Sequence, residues 1–283
     1  MATKSNGWTA GLVLTLLTLT LPAGLFGQQP EDEVPFELRD GHLIVIKGTL
    51  AGLDRMANLL VDTGAAATVV NRKLARQVGL RVFPDMGIKL AAFGSGMKVE
   101  RVLVRELGLG RRVITRSCLS ADLPWKDIDI VIGLDILSGA SLTIDYERDL
   151  LVFGAAGVTE GSTPFESQEG LLVAPVAMNG RTLRLAVDTG AHMIAVYRKS
   201  VEDWGKRVIG EKRTKVAHSG GFIEAREITL PSLEIGTAKI SRPAVAILQT
   251  DNPNSKIDGF LGTASLGLKR IHFDFQRQAL SIE

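Results

Sequence analysis

Two carboxylates in this 283-residue chain stand in the same short context, Asp62-Thr63-Gly64-Ala65 and Asp188-Thr189-Gly190-Ala191, and each follows an apolar run, Leu59 to Val61 and Leu185 to Val187. An apolar strand that runs straight into Asp-Thr-Gly delivers an acid at the end of a buried element. Glycine there opens backbone angles closed to other residues, and amide N–H groups face the acid. The threonine hydroxyl can bond nearby main chain and stiffen the turn without adding charge. One such turn is ordinary turn chemistry. Two in equivalent places can set Asp62 and Asp188 side by side, and close carboxylates share one proton, so the pair offers an acid and a base together.

Other chemistries lack their residues. Cys118 is alone, which excludes an internal disulfide, a cysteine-based zinc site and a redox pair. His42, His192, His218 and His272 show no H-E-x-x-H spacing, and neither G-x-S-x-G nor G-x-x-x-x-G-K-[ST] occurs. These absences set aside zinc-peptidase, serine-hydrolase and P-loop chemistry, and no metal or cofactor is expected. With 33 Lys and Arg against 31 Asp and Glu, and only short dibasic pairs, the chain has no electrostatic footprint for nucleic acid.

The two acids belong to a longer repeat. Val131-Ile132-Gly133 returns as Phe260-Leu261-Gly262, and Ile144-Asp145-Tyr146-Glu147-Arg148 returns as Phe273-Asp274-Phe275-Gln276-Arg277, each 129 residues on, whereas the acids are 126 apart. Three matches in one order with so little drift mark a duplication of one unit of roughly 120 residues. The reading is a signal segment over residues 1–27, a first lobe over 34–153, a linker rich in Gly, Ser, Thr and Glu over 154–170, and a second lobe over 171–283.

Within each copy, short β-runs are separated by Gly, Pro and Asn, with one short helix apiece. Asn71 caps the first, Arg72 to Val78, before Gly79, and Arg198 to Trp204 before Gly205 has the same shape. The fold class is all-β with few short helices, built as two similar closed β-barrel-like lobes about a pseudo-twofold axis. Lys4 and the uncharged apolar stretch from Ala10 to Phe26 read as an export signal cleaved after Gly27, with an uncleaved anchor as the alternative. The expected location is periplasmic or secreted. Later apolar segments are interrupted by charge, as at Asp129, Asp135 and Asp145, and none is expected to span a bilayer.

These residues resemble the retropepsin-like aspartic peptidases, with two units fused in one chain in a pepsin-like arrangement. The likeness rests on the two Asp-Thr-Gly-Ala sequences and the hydrophobic-hydrophobic-Gly element after each, and covers nearly all of the chain beyond the signal. It implies the aspartic protease fold, Asp62 and Asp188 as the catalytic dyad, and Thr63, Gly64, Thr189 and Gly190 as support for the active loops. It also implies a hairpin flap over the substrate, for which Phe93, Gly94 and Gly96 in the first copy and His218, Gly220 and Gly221 in the second are the candidates. The implied activity is endopeptidase, on a peptide or protein substrate, through a water activated between the two acids, in a monomer acting as an intramolecular pseudo-dimer. The alternatives are a catalytically silent peptide-binding module of the same fold, and a unit that pairs with a second chain. His192 is expected in a loop or packing role, Asp135 in a structural one, and Asp145 and Asp274 as turn-bonding acids.

Overall fold

A computed structural model of the protein describes residues 32–83, 89–92, 95–154, 161–204, 209–218, 221–251 and 255–283. The segment expected to be an export signal lies outside them. Among the described residues strands dominate, with helices confined to short segments such as Arg72–Gln77 and Leu134–Leu137.

The apolar run before Asp62 is continuous rather than alternating because its strand is covered on both faces. Leu59 and Val61 enter the main core while Leu60 enters a second cluster with Leu43, Val45 and Val131. The same division recurs in the second copy, where Leu185 and Val187 join the main core and Ala186 a separate cluster with Tyr197 and Leu248. Buried side chains of both copies form that main core, so the lobes are packed into one body.

Each copy closes its strands into a ring. In the first, Leu43–Gly48 pairs with Ala57–Val61, which runs parallel to Ile130–Ile132. Val69–Asn71, Arg112–Ala121 and Glu100–Leu109 follow in order. The ring returns to its first strand through a bridge in which Thr49 and Gly108 exchange N–H···O bonds of 3.2 and 2.9 Å. In the second copy the order is Leu171–Met178, Arg181–Asp188, Gly259–Gly262, Ile194–Tyr197, Ala244–Leu248 and Gly221–Thr229. The last strand continues through Pro231 into Ser232–Ile235, which pairs back onto Ala177 and Met178. The corner is turned differently in each ring. The first uses a bulge between Val104 and Leu107 with Glu106 at φ 52°. The second uses Pro231 and Pro243, whose carbonyls accept from Arg242 and Leu230 and so carry the ladder across the break.

A sheet shared by both copies joins the rings. Leu142–Asp145 pairs with Arg270–Asp274, each flanked by its own next strand, Leu150–Phe153 and Ala279–Ile282. Its register is centred on Thr143 opposite His272, residues that occupy the same place in their copies. The pseudo-twofold axis therefore passes between them, and Thr143 Oγ1 lies 2.7 Å from His272 Nδ1. Burial drives the His272 imidazole below its ordinary 6.5, against an opposing pull from Asp274. Because the folded state holds this ring neutral, the stability it contributes is fully present above 6.5 and is lost as pH falls below it. His272→Asn keeps a bonding atom near Thr143 but cannot titrate. Its unfolding temperature is expected to decline less steeply than wild type between pH 7 and pH 5, and parallel curves would show that His272 does not set the acid slope.

Two expectations differ from the structure. The segment assigned as linker, 154–170, contains Thr163–Pro164 and Glu166–Gln168, which pair with Ala279–Ile282 and Leu171–Met178. These strands repeat the opening strand Asp32–Arg39, which pairs with Leu150–Phe153 and then Leu43–Gly48. They belong to the second copy, and their polar composition follows from their short length, with Phe165 as the buried anchor. The helix expected from Arg198 is a 3₁₀ turn, Arg198–Val201, because Tyr197 before it provides no side-chain cap. Asn71 does cap the first helix, accepting from the Lys73 N–H at 3.0 Å.

Candidate active site

Each active loop starts where a central strand ends. Asp62 follows Ala57–Val61, and its N–H donates to the Ile132 carbonyl at 3.1 Å, while Asp188 ends Arg181–Asp188 opposite Gly262. The glycine of the hydrophobic-hydrophobic-Gly element is needed for contact with these loops. A Cβ on Gly133 would sit 2.7 Å from the Ala65 carbonyl oxygen, and one on Gly262 would sit 2.4 Å from that of Met193. Leu134 then donates its N–H to the Ala65 carbonyl at 2.8 Å, pinning the first loop from outside.

The two loops hold one another through their threonines. Thr63 N–H donates to Thr189 Oγ1 at 3.0 Å and Thr189 N–H donates to Thr63 Oγ1 at 3.1 Å. Each hydroxyl donates in turn to the carbonyl before the other acid, Thr63 to Val187 at 2.8 Å and Thr189 to Val61 at 3.1 Å. Both threonines are fully buried. Thr63→Val keeps the shape and strands the Val187 carbonyl and the Thr189 N–H, which is expected to cost about 2–4 kcal/mol in urea unfolding. Thr63→Ser should retain most of that stability, and equal losses in both variants would mean that the methyl, not the hydroxyl, holds the loops.

This crossing brings the carboxyls of Asp62 and Asp188 into hydrogen-bonding contact. Gly64 N–H donates to Asp62 Oδ1 at 2.8 Å and Gly190 N–H to Asp188 Oδ1 at 2.9 Å, with the Ala65 and Ala191 amides adding to each. Both acids stay partly accessible, so a substrate group can reach them. Burial, and then the charge of Asp62, push Asp188 well above the ordinary carboxylate range, while burial raises Asp62 against the pull of its loop amides. The proton that results belongs to the pair. Aspartic proteases are the reference case for such coupling, which makes it a family property.

Gly64 and Gly190 owe their place to space rather than to backbone angle. Neither has a positive φ, contrary to expectation, but a Cβ on Gly64 would lie 2.4 Å from Asp188 Cγ and one on Gly190 2.9 Å from Asp62 Cγ. Each glycine faces the opposite acid.

Each copy of the chain matches an aspartyl protease family. Residues 46–139, which include Asp62, match the family described as "gag-polyprotein putative aspartyl protease", and residues 174–264, which include Asp188, match the family described as "Aspartyl protease". The chain belongs to the retropepsin-like aspartic peptidases. Relatives of this retropepsin-like protein include DNA damage-inducible protein 1 of Phaeosphaeria nodorum (strain SN15), 26% identical over 53% of this chain and 34% of that protein. Protein DNA-DAMAGE INDUCIBLE 1 of Arabidopsis thaliana is 27% identical over 39% of this chain and 26% of that protein. The chain thus spans about a third or less of the length of these relatives.

Among the flap candidates of the retropepsin-like frame, Phe93, Gly94 and Gly220 lie outside the described residues. Gly96 sits in Ser95–Lys98, paired with Lys89–Ala92 in a small separate sheet. His218 and Gly221 face each other near the end of the long hairpin made by Ile209–His218 and Gly221–Thr229. Asp135 accepts from the Thr68 N–H and hydroxyl at 2.8 and 2.7 Å, while Thr68 Oγ1 accepts from Gly133 N–H, so this acid braces the first loop. Asp145 and Asp274 bond the amides of the turns that follow them. The second copy carries Ile194 and Ala264 in the places of Thr68 and Asp135, so its active loop has no equivalent of this brace.

Proposed function

We propose that this protein is an aspartic endopeptidase in which Asp62 and Asp188 activate a water for attack on a peptide carbonyl. The observation that carries the reading is a hydrogen-bonded pair of accessible acids, supplied by the two copies of one chain and held by reciprocal threonine bonds. The ionised member of the pair takes a proton from the water while the protonated member donates to the developing oxyanion. The proton then passes to the leaving nitrogen. Both acids come from one chain, which favours a monomer that needs no second chain to complete its site.

Export is part of this proposal, supported by Lys4 and the uncharged stretch from Ala10 to Phe26. The test is digestion of a broad peptide library by the purified full chain across acid to neutral pH, with products identified by mass spectrometry. Cleavage that a statine-type peptide inhibits supports the reading, whereas tight binding of that peptide with no cleavage at any pH would make the protein a peptide-binding module. The pair must hold one proton to work, and its affinity for protons is raised. Activity is therefore expected to persist above the ordinary carboxylate range and to fall as pH rises further. A rate that climbs steadily into the alkaline range would contradict a shared proton.

A further inference from the structure

Besides the Thr68–Asp135 brace, the copies part company where their first hairpins approach the active loops. The first hairpin of each turns through two residues of positive φ, Asp40 (49°) and Gly41 (73°) in the first copy and Glu169 (57°) and Gly170 (79°) in the second. The first copy then carries an additional residue, His42, before its strand begins at Leu43, whereas Leu171 follows Gly170 directly. His192 also breaks the repeat, because the equivalent position in the first active loop is Ala66. Each hairpin turn approaches the active loop of the other copy. At one end Gly170 meets Ala66, close enough that a Cβ on Gly170 would lie 3.0 Å from the Ala66 methyl. At the other end the approach brings His42 and His192 to 5.3 Å between ring centroids, with their planes at 85°.

The chemistry of His42 is already selected. Its Nδ1 lies 2.9 Å from the Asp40 carbonyl oxygen, and a carbonyl can only accept, so Nδ1 carries the hydrogen and Nε2 of the neutral ring keeps its lone pair. That outer bond to a backbone carbonyl is the one metal-bound histidines make to fix their tautomer. His192 is exposed, four residues beyond Asp188. Two imidazoles on one tetrahedral zinc at about 2.1 Å have ring centroids roughly 5.3 Å apart, since each nitrogen sits about 1.2 Å from its own centroid. No three ligating side chains cluster among the described residues, so such a site has two protein donors and leaves its remaining positions to water.

We propose that His42 and His192 form a two-imidazole site for a divalent transition ion, with Zn²⁺ as the probe, that ties the first copy's opening hairpin to the second copy's active loop. Neutral imidazole suits zinc, nickel and copper, whereas magnesium prefers oxygen ligands. The site does not depend on whether the acid pair turns over peptides.

The test uses the untagged full chain, stripped with EDTA and desalted, titrated with Zn²⁺ by calorimetry near neutral pH. One ion per chain is expected, with a rise in unfolding temperature that EDTA reverses and Mg²⁺ does not reproduce. His42→Ala and His192→Ala should each weaken zinc binding at least tenfold. In EDTA both variants should unfold at the wild-type temperature, because one residue is an addition to the repeated turn and the other becomes what the first copy already has. Absence of stoichiometric binding, or binding that survives both replacements, would overturn the site and leave the rings in a simple edge-to-face contact.

Discussion

Asp62→Asn is expected to lose peptide hydrolysis by at least about 10²–10⁴-fold, and Asp188→Asn by a similar factor, because either change removes the acid–base pair as a unit. Stability should move the other way. Both acids bind protons more tightly in the folded chain than ordinary carboxylates do, chiefly through burial. A raised carboxyl contributes stability that is fully present below its unfolded value and is lost as pH rises through the folded one. At neutral pH the pair therefore holds the fold under strain, and an amide in place of one acid relieves it. Each variant should melt at or above the wild-type temperature near pH 7, with the difference shrinking toward acid pH. A variant that keeps normal turnover, or that is inactive only because it has unfolded, would remove the dyad from the explanation.

The second large effect is expected from Gly64→Ala. The added Cβ would stand 2.4 Å from Asp188 Cγ and 2.6 Å from both of its oxygens. The loop cannot yield cheaply, since the neighbouring Thr63 is bonded through its N–H and its hydroxyl to the other copy. Asp188 must then shift by about 1 Å to reach ordinary contact, and a displacement of that size costs about 10²-fold in rate. Gly190→Ala places its Cβ 2.9 Å from Asp62 Cγ and should be the milder of the two. Steady-state kinetics on one peptide, read beside melting curves for both variants, checks the order. A reversed order, or full activity in Gly64→Ala, would show that the space opposite each acid is not what glycine preserves.

Much of this molecule was legible without coordinates because duplication doubles every signal. The paired Asp-Thr-Gly sequences, the glycine elements and the aspartate turns each occur twice at nearly one spacing, and the all-β reading follows from short apolar runs set between turn residues. Asn71 announced its helix through a side chain that caps locally. The strands at Thr163–Pro164 and Glu166–Gln168 were hidden, because short polar edge segments carry no periodic pattern and acquire strand geometry only from their partners. The second helix was overstated, since Tyr197 offers no cap.

Residue order alone singled out Asp62 and Asp188 as the candidate acids, since that reading depends on side-chain type and on neighbours a few positions apart. Ring closure through Thr49 and Gly108, the threonine crossing, the role of Gly64 as clearance for Asp188, and the meeting of His42 with His192 came from the folded chain. Each depends on atoms far apart in sequence approaching to within a few ångströms, as with Thr63 and Val187, which lie 124 residues apart and bond at 2.8 Å. Such contacts turn on differences of a few tenths of an ångström, and a linear pattern holds no distances between residues that only packing brings together.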